Sequence, residues 1–205
     1  MVGVQTPWVL RVFEPDSVVT GVAHFVSPAG IRQVHPFSWQ TLAVREHVVI
    51  NEVMANPAGP EPAQEWVELF NDGVQSVSLG QWQLEDAGGQ VLLPEVTLAP
   101  GTFALIVGET YDAESWVDTA PAPETLLIRV DRVGSSGLSN GGEPLRLRNS
   151  LGETVSSVPS ISSKEQGWSI ARVVPDALDS LYASFAFGQE GGSPGKTNED
   201  LVPID

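Results

Sequence analysis

Two acidic side chains, Glu52 and Glu68, lie on consecutive predicted strands and are the residues of this sequence best placed to do chemistry. If these strands pair, the carboxyl groups approach each other, and glycosidases use a carboxyl pair about 5–9 Å apart. With Asp72 the same oxygens could hold calcium, which takes six to eight oxygen ligands. A structural role is favoured over both, because Glu52 could accept hydrogen bonds from backbone amides or from the indole of Trp66. The predicted metal ligands are therefore Glu52, Glu68 and Asp72, with calcium as the possible ion.

Nucleophilic catalysis finds little support in the remaining residues. The three histidines, His24, His35 and His47, lie in or beside the N-terminal strands, without a nucleophile-elbow sequence or His-Glu-x-x-His spacing. The chain has no cysteine, which excludes disulfides, thiolate metal sites and cysteine nucleophiles. The glycine pairs are not followed by a helix or by Lys-Ser/Thr, so they indicate turns and no phosphate-binding loop. We expect no catalytic residue and no resident cofactor.

Aromatic side chains beside acids suggest where a partner could bind. Residues 109–124 form a predicted long loop in which Tyr111 and Trp116 lie among an acidic cluster of Glu109, Asp112, Glu114 and Asp118, and long loops on rigid β-scaffolds often bind partners. The alternative is a solvated excursion that covers a sheet edge. Trp8 and Trp39 belong to the N-terminal strands and could dock against the main domain or a neighbouring one. The predicted partner-binding residues are these four.

Alternation of polar and apolar residues between turn signals indicates many short β-strands, and helical periodicity is nearly missing. One helical turn is predicted, at residues 175–183. The predicted domains are an N-terminal β segment (1–46), a main body (47–198) and an acidic tail (199–205). The predicted strands are residues 8–13, 18–26, 35–44, 48–54, 65–71, 76–79, 81–85, 90–93, 102–107, 125–130, 144–149, 154–158 and 168–173.

Six segments of the main body together resemble the lamin tail domain in its bacterial form. They are INEVMANP (50–57), EWVELFN (65–71), LGQWQL (79–84), LAPG (98–101), LSNGGE (138–143) and SPGKTN (193–198). In the last segment, Ser193 stands where threonine is usual in the family. The resemblance implies an immunoglobulin-like β-sandwich, for which nine strands fit the count, and it implies no activity for the module itself. In bacteria such modules typically occur in exported or surface proteins.

The charge of the chain restricts its partners. With 26 acidic and 10 basic residues the net charge is −16, and residues 1–46 contribute nothing to it (3 acids against 3 bases). Such a surface repels phosphate backbones, so nucleic-acid binding is not expected. No apolar run approaches the roughly 20 residues of a membrane span, and the N-terminus has no signal-peptide pattern.

These observations lead to one functional expectation with two alternatives. The chain is expected to be a non-catalytic, immunoglobulin-like binding or scaffolding module of an exported or surface protein. It would contact a protein partner or adjacent domains of its own polypeptide, without membrane insertion. A calcium-dependent binding module and an accessory domain of an extracellular hydrolase or nuclease are the alternatives. A secreted or cell-surface location is expected if the chain is a piece of a longer protein, and a cytoplasmic one if Met1 is natural.

Overall fold

A computed structural model describes residues 17–41 and 47–204. The chain divides into two compact units, Met1–Arg45 and Glu46–Asp205. In the first unit, β1 (Val18–Val26) pairs with β2 (Arg32–Gln40) as an antiparallel ribbon. The turn between them is Ser27-Pro28-Ala29-Gly30, in which Gly30 adopts a positive φ of 78°. The predicted strand at residues 8–13, with Trp8, lies outside the described residues.

The second unit contains two facing sheets. Its larger sheet has seven strands in the order β10-β9-β4-β3-β13-β14-β15. All neighbours in this sheet are antiparallel except β9 and β10, which are parallel. The strands are β3 (Val48–Met54), β4 (Trp66–Asn71), β9 (Phe103–Gly108), β10 (Leu126–Val130), β13 (Trp168–Arg172), β14 (Phe185–Glu190) and β15 (Val202–Pro203).

The second sheet has four antiparallel strands in the order β12-β11-β6-β7. They are β6 (Gln83–Glu85), β7 (Gln90–Leu92), β11 (Leu145–Arg148) and β12 (Thr154–Val158). A separate short ladder joins β5 (Val77–Ser78) to β8 (Thr97–Leu98).

One core fills the space between the two sheets. Leu69 and Ile106 of the large sheet pack in the same buried cluster as Leu84 and Leu147 of the small one, together with Trp82. Burying these alternate apolar residues on both inner faces is the main stabilising contribution, at about 25 cal/mol per Å² of apolar surface. The described part of the second unit, residues 47–204, is the expected immunoglobulin-like β-sandwich, with eleven strands in its two sheets instead of nine.

The parallel pairing of β9 with β10 explains the long acidic loop. Parallel neighbours need a connection that carries the chain back to the starting end of the first strand. Residues 109–125 make that connection, and Tyr111 near its start is buried with Met54 and Trp66 on the outer face of the large sheet. Because the loop covers this face, β9 is buried on both sides, and the sequence of β9 reads as a continuous apolar run.

Several predicted elements differ from the observed ones. Residues 175–180 form turns and bends, and a 3-10 turn at Tyr182–Ser184 overlaps only the end of the predicted helical turn. Strands β8, β14 and β15 were not predicted, and β15 places part of the predicted acidic tail against β14. Among residues 17–41 and 47–204, no helix is long and apolar enough to cross a membrane.

Candidate functional site

The carboxyl groups of Glu52 and Glu68 meet because of strand register and a bulge. Glu52 is the direct partner of Glu68 across the β3–β4 ladder, so both side chains leave the same face of the large sheet. The register shifts between Ile50 and Glu52. The extra residue, Asn51, therefore projects on the same face as Glu52, which strict alternation would forbid. The bulge gathers three polar side chains in one place on the large sheet.

Each oxygen of Glu52 accepts hydrogen bonds from the protein. Oε1 accepts the hydroxyl of Ser169 at 2.5 Å, and Oε2 accepts the hydroxyl of Ser193 at 2.8 Å. The backbone N–H of Ser193 lies 3.1 Å from both oxygens. Serine and threonine both carry a hydroxyl group on Cβ. Ser193, which stands where threonine is usual in the family, therefore still supplies a hydroxyl donor to Glu52. The indole of Trp66 is not a donor to Glu52 in the described bonds, so the predicted donor is replaced by serines.

Glu68 is satisfied in the same way from two other directions. Its Oε1 accepts the side-chain amide of Asn51 at 2.7 Å, and its Oε2 accepts the backbone N–H of Gly195 at 2.5 Å. Asn198 completes the cluster, because its side-chain amide donates to the backbone carbonyls of Asn51 (3.1 Å) and Arg172 (2.9 Å). Residues 193–198, called here the C-terminal clasp, are thus attached to the sheet through side chains of β3 and β4.

Close approach of the backbone is part of this arrangement. Gly192 has a φ of +70°, and a Cβ atom there would lie 2.9 Å from the ring of Trp66 and 3.1 Å from the carboxylate of Glu52. Glycine is the residue that accepts both the left-handed conformation and the lack of space. The glycines that precede the clasp therefore let the chain come down onto the carboxylates.

Burial raises the pKa of both carboxyl groups. Glu52 and Glu68 are 1% and 0% exposed, and desolvation raises the pKa of Glu52 above its ordinary 4.5 and that of Glu68 to about 8. The hydrogen bonds from the serines, Asn51 and Gly195 oppose the rise but do not cancel it. The two groups share one face of the sheet, as catalytic carboxyls would, but the clasp covers them and protein donors occupy their oxygens. This geometry holds a chain segment in place.

Asp72 lies in a different cluster. Its carboxylate is 3.2 Å from Nδ1 of His47, and the ligand atoms of His47, Asp72 and Asp176 lie within 4.8 Å of one another. The structure therefore does not bring the three predicted metal ligands together. The observed group offers one imidazole and two carboxylates on an exposed surface, a donor set that suits a transition metal better than calcium, which prefers oxygen alone. Asp176 was missed because it follows β13, far from Asp72 in sequence.

A buried arginine links the two sheets. Arg172 has a fully buried side chain and forms an ion pair of 2.7 Å with Asp179. Its guanidinium also donates to the carbonyl of Ile50 at 2.8 Å and to the hydroxyl of Ser156, on the opposite sheet, at 3.0 Å. Sequence analysis missed this residue, although a lone basic residue ending an apolar strand was a usable signal. With all its nitrogens bonded, Arg172 is part of the fold's polar core.

A third carboxylate, Glu65, borders a cavity of about 410 Å³ that is also lined by Glu61 and Glu143. Desolvation, with repulsion from these two neighbours, raises the pKa of Glu65 to about 7, although the backbone N–H of Leu138 donates to it at 2.6 Å. Glu143 in turn accepts the backbone N–H of Ser139 at 2.7 Å. Glu65 therefore fixes the glycine-rich turn after β10 to the loop before β4, and Glu143 accepts a hydrogen bond within that turn.

The aromatic residues predicted to bind partners have different environments. Tyr111 is 5% exposed and belongs to the outer core cluster, whereas Trp116 is 94% exposed. The loop therefore uses Tyr111 as an internal anchor and presents Trp116 to solvent. Trp39 is 46% exposed and stacks on Phe37, with 4.8 Å between ring centroids. Trp8 lies outside the described residues.

The remaining tryptophans of the sandwich are buried or half-buried, and the histidines of the ribbon are exposed. Trp82 is buried, whereas Trp168 is half-buried with the amino group of Lys164 3.7 Å above its ring. His24 and His35 are exposed residues of the N-terminal ribbon. Their positions agree with ordinary strand residues.

Comparison with known proteins gives one positive result. The model of the family described as Lamin Tail Domain matches residues 42–162, more than half of the chain. No curated protein matches the sequence. The matched region covers β3 to β12 and ends before β13, β14 and the C-terminal clasp.

Proposed function

The chain belongs to the lamin tail domain family, and from this premise we propose that it is a non-catalytic binding and scaffolding module of a bacterial exported or surface protein. It contacts a protein partner or an adjacent domain of its own polypeptide, and so contributes to adhesion or to the positioning of that domain. The immunoglobulin-like sandwich supports this proposal, because such sandwiches present sheet faces and loops as contact surfaces.

One observation carries the proposal: the ribbon β1–β2 exposes apolar side chains on both of its faces. Val22 and Val34 lie on one face and Phe25 and Phe37 on the other, with exposed fractions of 51%, 56%, 57% and 39%. Among residues 17–41, which are the described part of this unit, no second layer covers them, and isolated ribbons are marginally stable in water. Contiguous exposed apolar surface of this kind marks a site of contact with another protein surface.

The occupied carboxylates support the non-catalytic part. Glu52 and Glu68 are the acidic pair that the sequence brought forward for catalysis, and their oxygens accept bonds from Ser169, Ser193 and Gly195 beneath the C-terminal clasp. A general acid must instead reach a substrate atom directly or through one water. These two carboxyl groups therefore have a structural role.

Site-specific photo-crosslinking tests the proposal. A photoreactive phenylalanine analogue is placed at Phe25, at Phe37 and, as a control, at the exposed Leu151 of the sandwich, and the full chain is expressed in its native host. We expect adducts with one partner from the two ribbon positions and none from position 151. Purified partner should then bind the unlabelled chain, and the Phe25→Ser variant should bind about tenfold more weakly. Equal labelling from all three positions would contradict the proposal, and protease treatment of intact cells tests the surface location.

The calcium-dependent alternative has its own test. His47, Asp72 and Asp176 form the exposed cluster in which an ion could be held, and Glu52 and Glu68 are the buried residues first predicted as ligands. A specific ion must raise the melting temperature by mass action. Titration with calcium while the melting temperature is followed, with Asp72→Asn as the matched variant, decides this alternative. The accessory-domain alternative is tested by the uncut gene, which would encode a hydrolase or nuclease domain beside this one.

A further inference from the structure

We propose that Trp116 and the carboxylates around it form a docking surface for an arginine-rich segment of a partner protein. The inference rests on the proposed binding function and adds the chemistry of the partner. Three features of the loop at residues 109–124 support it: the loop is braced, its tryptophan is exposed, and all of its charged side chains are acidic.

The loop is braced at its beginning and in its middle. Arg129 of β10 donates from one guanidinium nitrogen to the carbonyls of Glu109 and Tyr111, both at 3.1 Å. Asp118 accepts the backbone N–H of Gly59 at 2.9 Å and the hydroxyl of Ser115 at 2.8 Å. Together with the buried ring of Tyr111, these bonds fix the segment on either side of Trp116.

Trp116 is presented to solvent from this braced segment. Its side chain is 94% exposed, the highest value among the exposed large apolar residues of the described chain, and Val117 beside it is 40% exposed. A large aromatic ring on a fixed loop loses little conformational entropy on binding, and tryptophans are frequent anchors of protein interfaces. The loop therefore supplies an anchor that is already in position before a partner arrives.

The charge around the ring selects the partner. Residues 109–124 contain five acids (Glu109, Asp112, Glu114, Asp118 and Glu124) and no base, so 0 − 5 gives a charge of −5. None of these five carboxylates is in an ion pair with a base in the described ranges, and the nearby Arg129 is directed at backbone carbonyls. An apolar partner would remove these carboxylates from water without compensation, whereas a cationic partner pairs with them.

Arginine fits this surface better than lysine. A guanidinium is planar, stacks on an indole face and can bond a carboxylate with two parallel hydrogen bonds. Glu114, two residues before Trp116 in the sequence, has an exposed side chain that is free to pair with a second arginine of the partner. Lysine offers the same charge without the stacking plane.

The test uses the full chain and three fluorescein-labelled peptides, Gly-Arg-Gly-Arg-Gly-Arg and its lysine and citrulline counterparts, with binding followed by fluorescence anisotropy. The chain carries a charge of −16, so any cationic peptide gains some general attraction. Trp116→Ala changes no charge and isolates the anchor. The turn 149–153 provides matched controls, because Leu151 is 80% exposed and Glu153 is also exposed.

We expect the arginine peptide to bind more tightly than the lysine peptide, and the citrulline peptide not to bind. Trp116→Ala should weaken binding about tenfold, the range expected for a cation stacked on an indole, and Glu114→Gln about threefold, while Leu151→Ala and Glu153→Gln leave it unchanged. No binding, equal loss in the Leu151 and Trp116 variants, or equal affinity for the citrulline peptide would overturn the inference. A partner crosslinked at Phe25 would still support the binding function in that case, so the two failures are distinguishable.

Discussion

The buried carboxyl of Glu68 makes the stability of this protein depend on pH, and replacing it by glutamine should remove that dependence. Burial raises the pKa of Glu68 from 4.5 to about 8. Between these two values the folded state keeps a proton that the unfolded state has lost. Stability from this group is therefore fully present below about pH 4.5 and is lost as the pH rises through about 8.

The size of the effect follows from the same two values. Within that interval the free energy of unfolding falls by about 1.4 kcal/mol for each pH unit, or on the order of 5 kcal/mol in total. In Glu68→Gln the side chain can still accept a hydrogen bond from Asn51 or Gly195, but it does not titrate. The decrease of the unfolding free energy with pH that Glu68 causes should therefore disappear. At pH 5 we expect the variant to be no more stable than the natural protein. Between pH 5 and pH 8.5 its free energy of unfolding should rise by at least about 2 kcal/mol relative to that of the natural protein.

Urea unfolding followed by tryptophan fluorescence, from pH 5 to pH 9, measures this difference. The quantity to plot is the variant's unfolding free energy minus that of the natural chain, because the titrations of groups remote from Glu68 cancel in the subtraction. Glu114→Gln, at an exposed position, controls for the loss of one negative charge. Parallel curves for the natural chain and Glu68→Gln would refute the assignment of a buried, proton-binding carboxyl beneath the C-terminal clasp.

Three other parts of the fold allow equally direct predictions. Arg172→Ala should destabilise the sandwich by about 3–5 kcal/mol because it leaves Asp179 and buried acceptors unpaired, and a double-mutant cycle with Asp179→Asn in urea should show coupling between the two. Gly142→Ala should destabilise the fold by more than about 2 kcal/mol, since the new Cβ would lie 2.6 Å from backbone atoms at a φ of +85°. Gly152→Ala has a similar φ of +78° but open space around it, and should cost about 1 kcal/mol. Thermal melts of the two variants separate the steric clash from the backbone strain. Trp82→Ala should cost about 3–5 kcal/mol through the cavity it leaves, and a loss below 1 kcal/mol by calorimetry would place the ring outside the core.

The local sequence pattern predicted many of the strands. Strands β1, β3 and β12 begin and end at the predicted residues, because these segments are rich in β-branched residues and lie next to turn-forming residues. Two-residue strands such as β8 and β15 were missed, since two residues cannot display a period of two. The strand β14 follows residues rich in turn-forming types and was obscured by them.

The sequence by itself also determined the family, the absence of thiol chemistry and the acidic charge, because each is a property of residue identity and order. Only the tertiary structure decided what the acidic residues do. Glu52 and Glu68 could be paired from consecutive strands, but their donors come from Ser169, Ser193 and Gly195, more than 100 residues further along the chain. Such contacts leave no local periodicity, so sequence reasoning could foresee that the carboxylates meet, and the folded chain was needed to show that they hold its C-terminal segment.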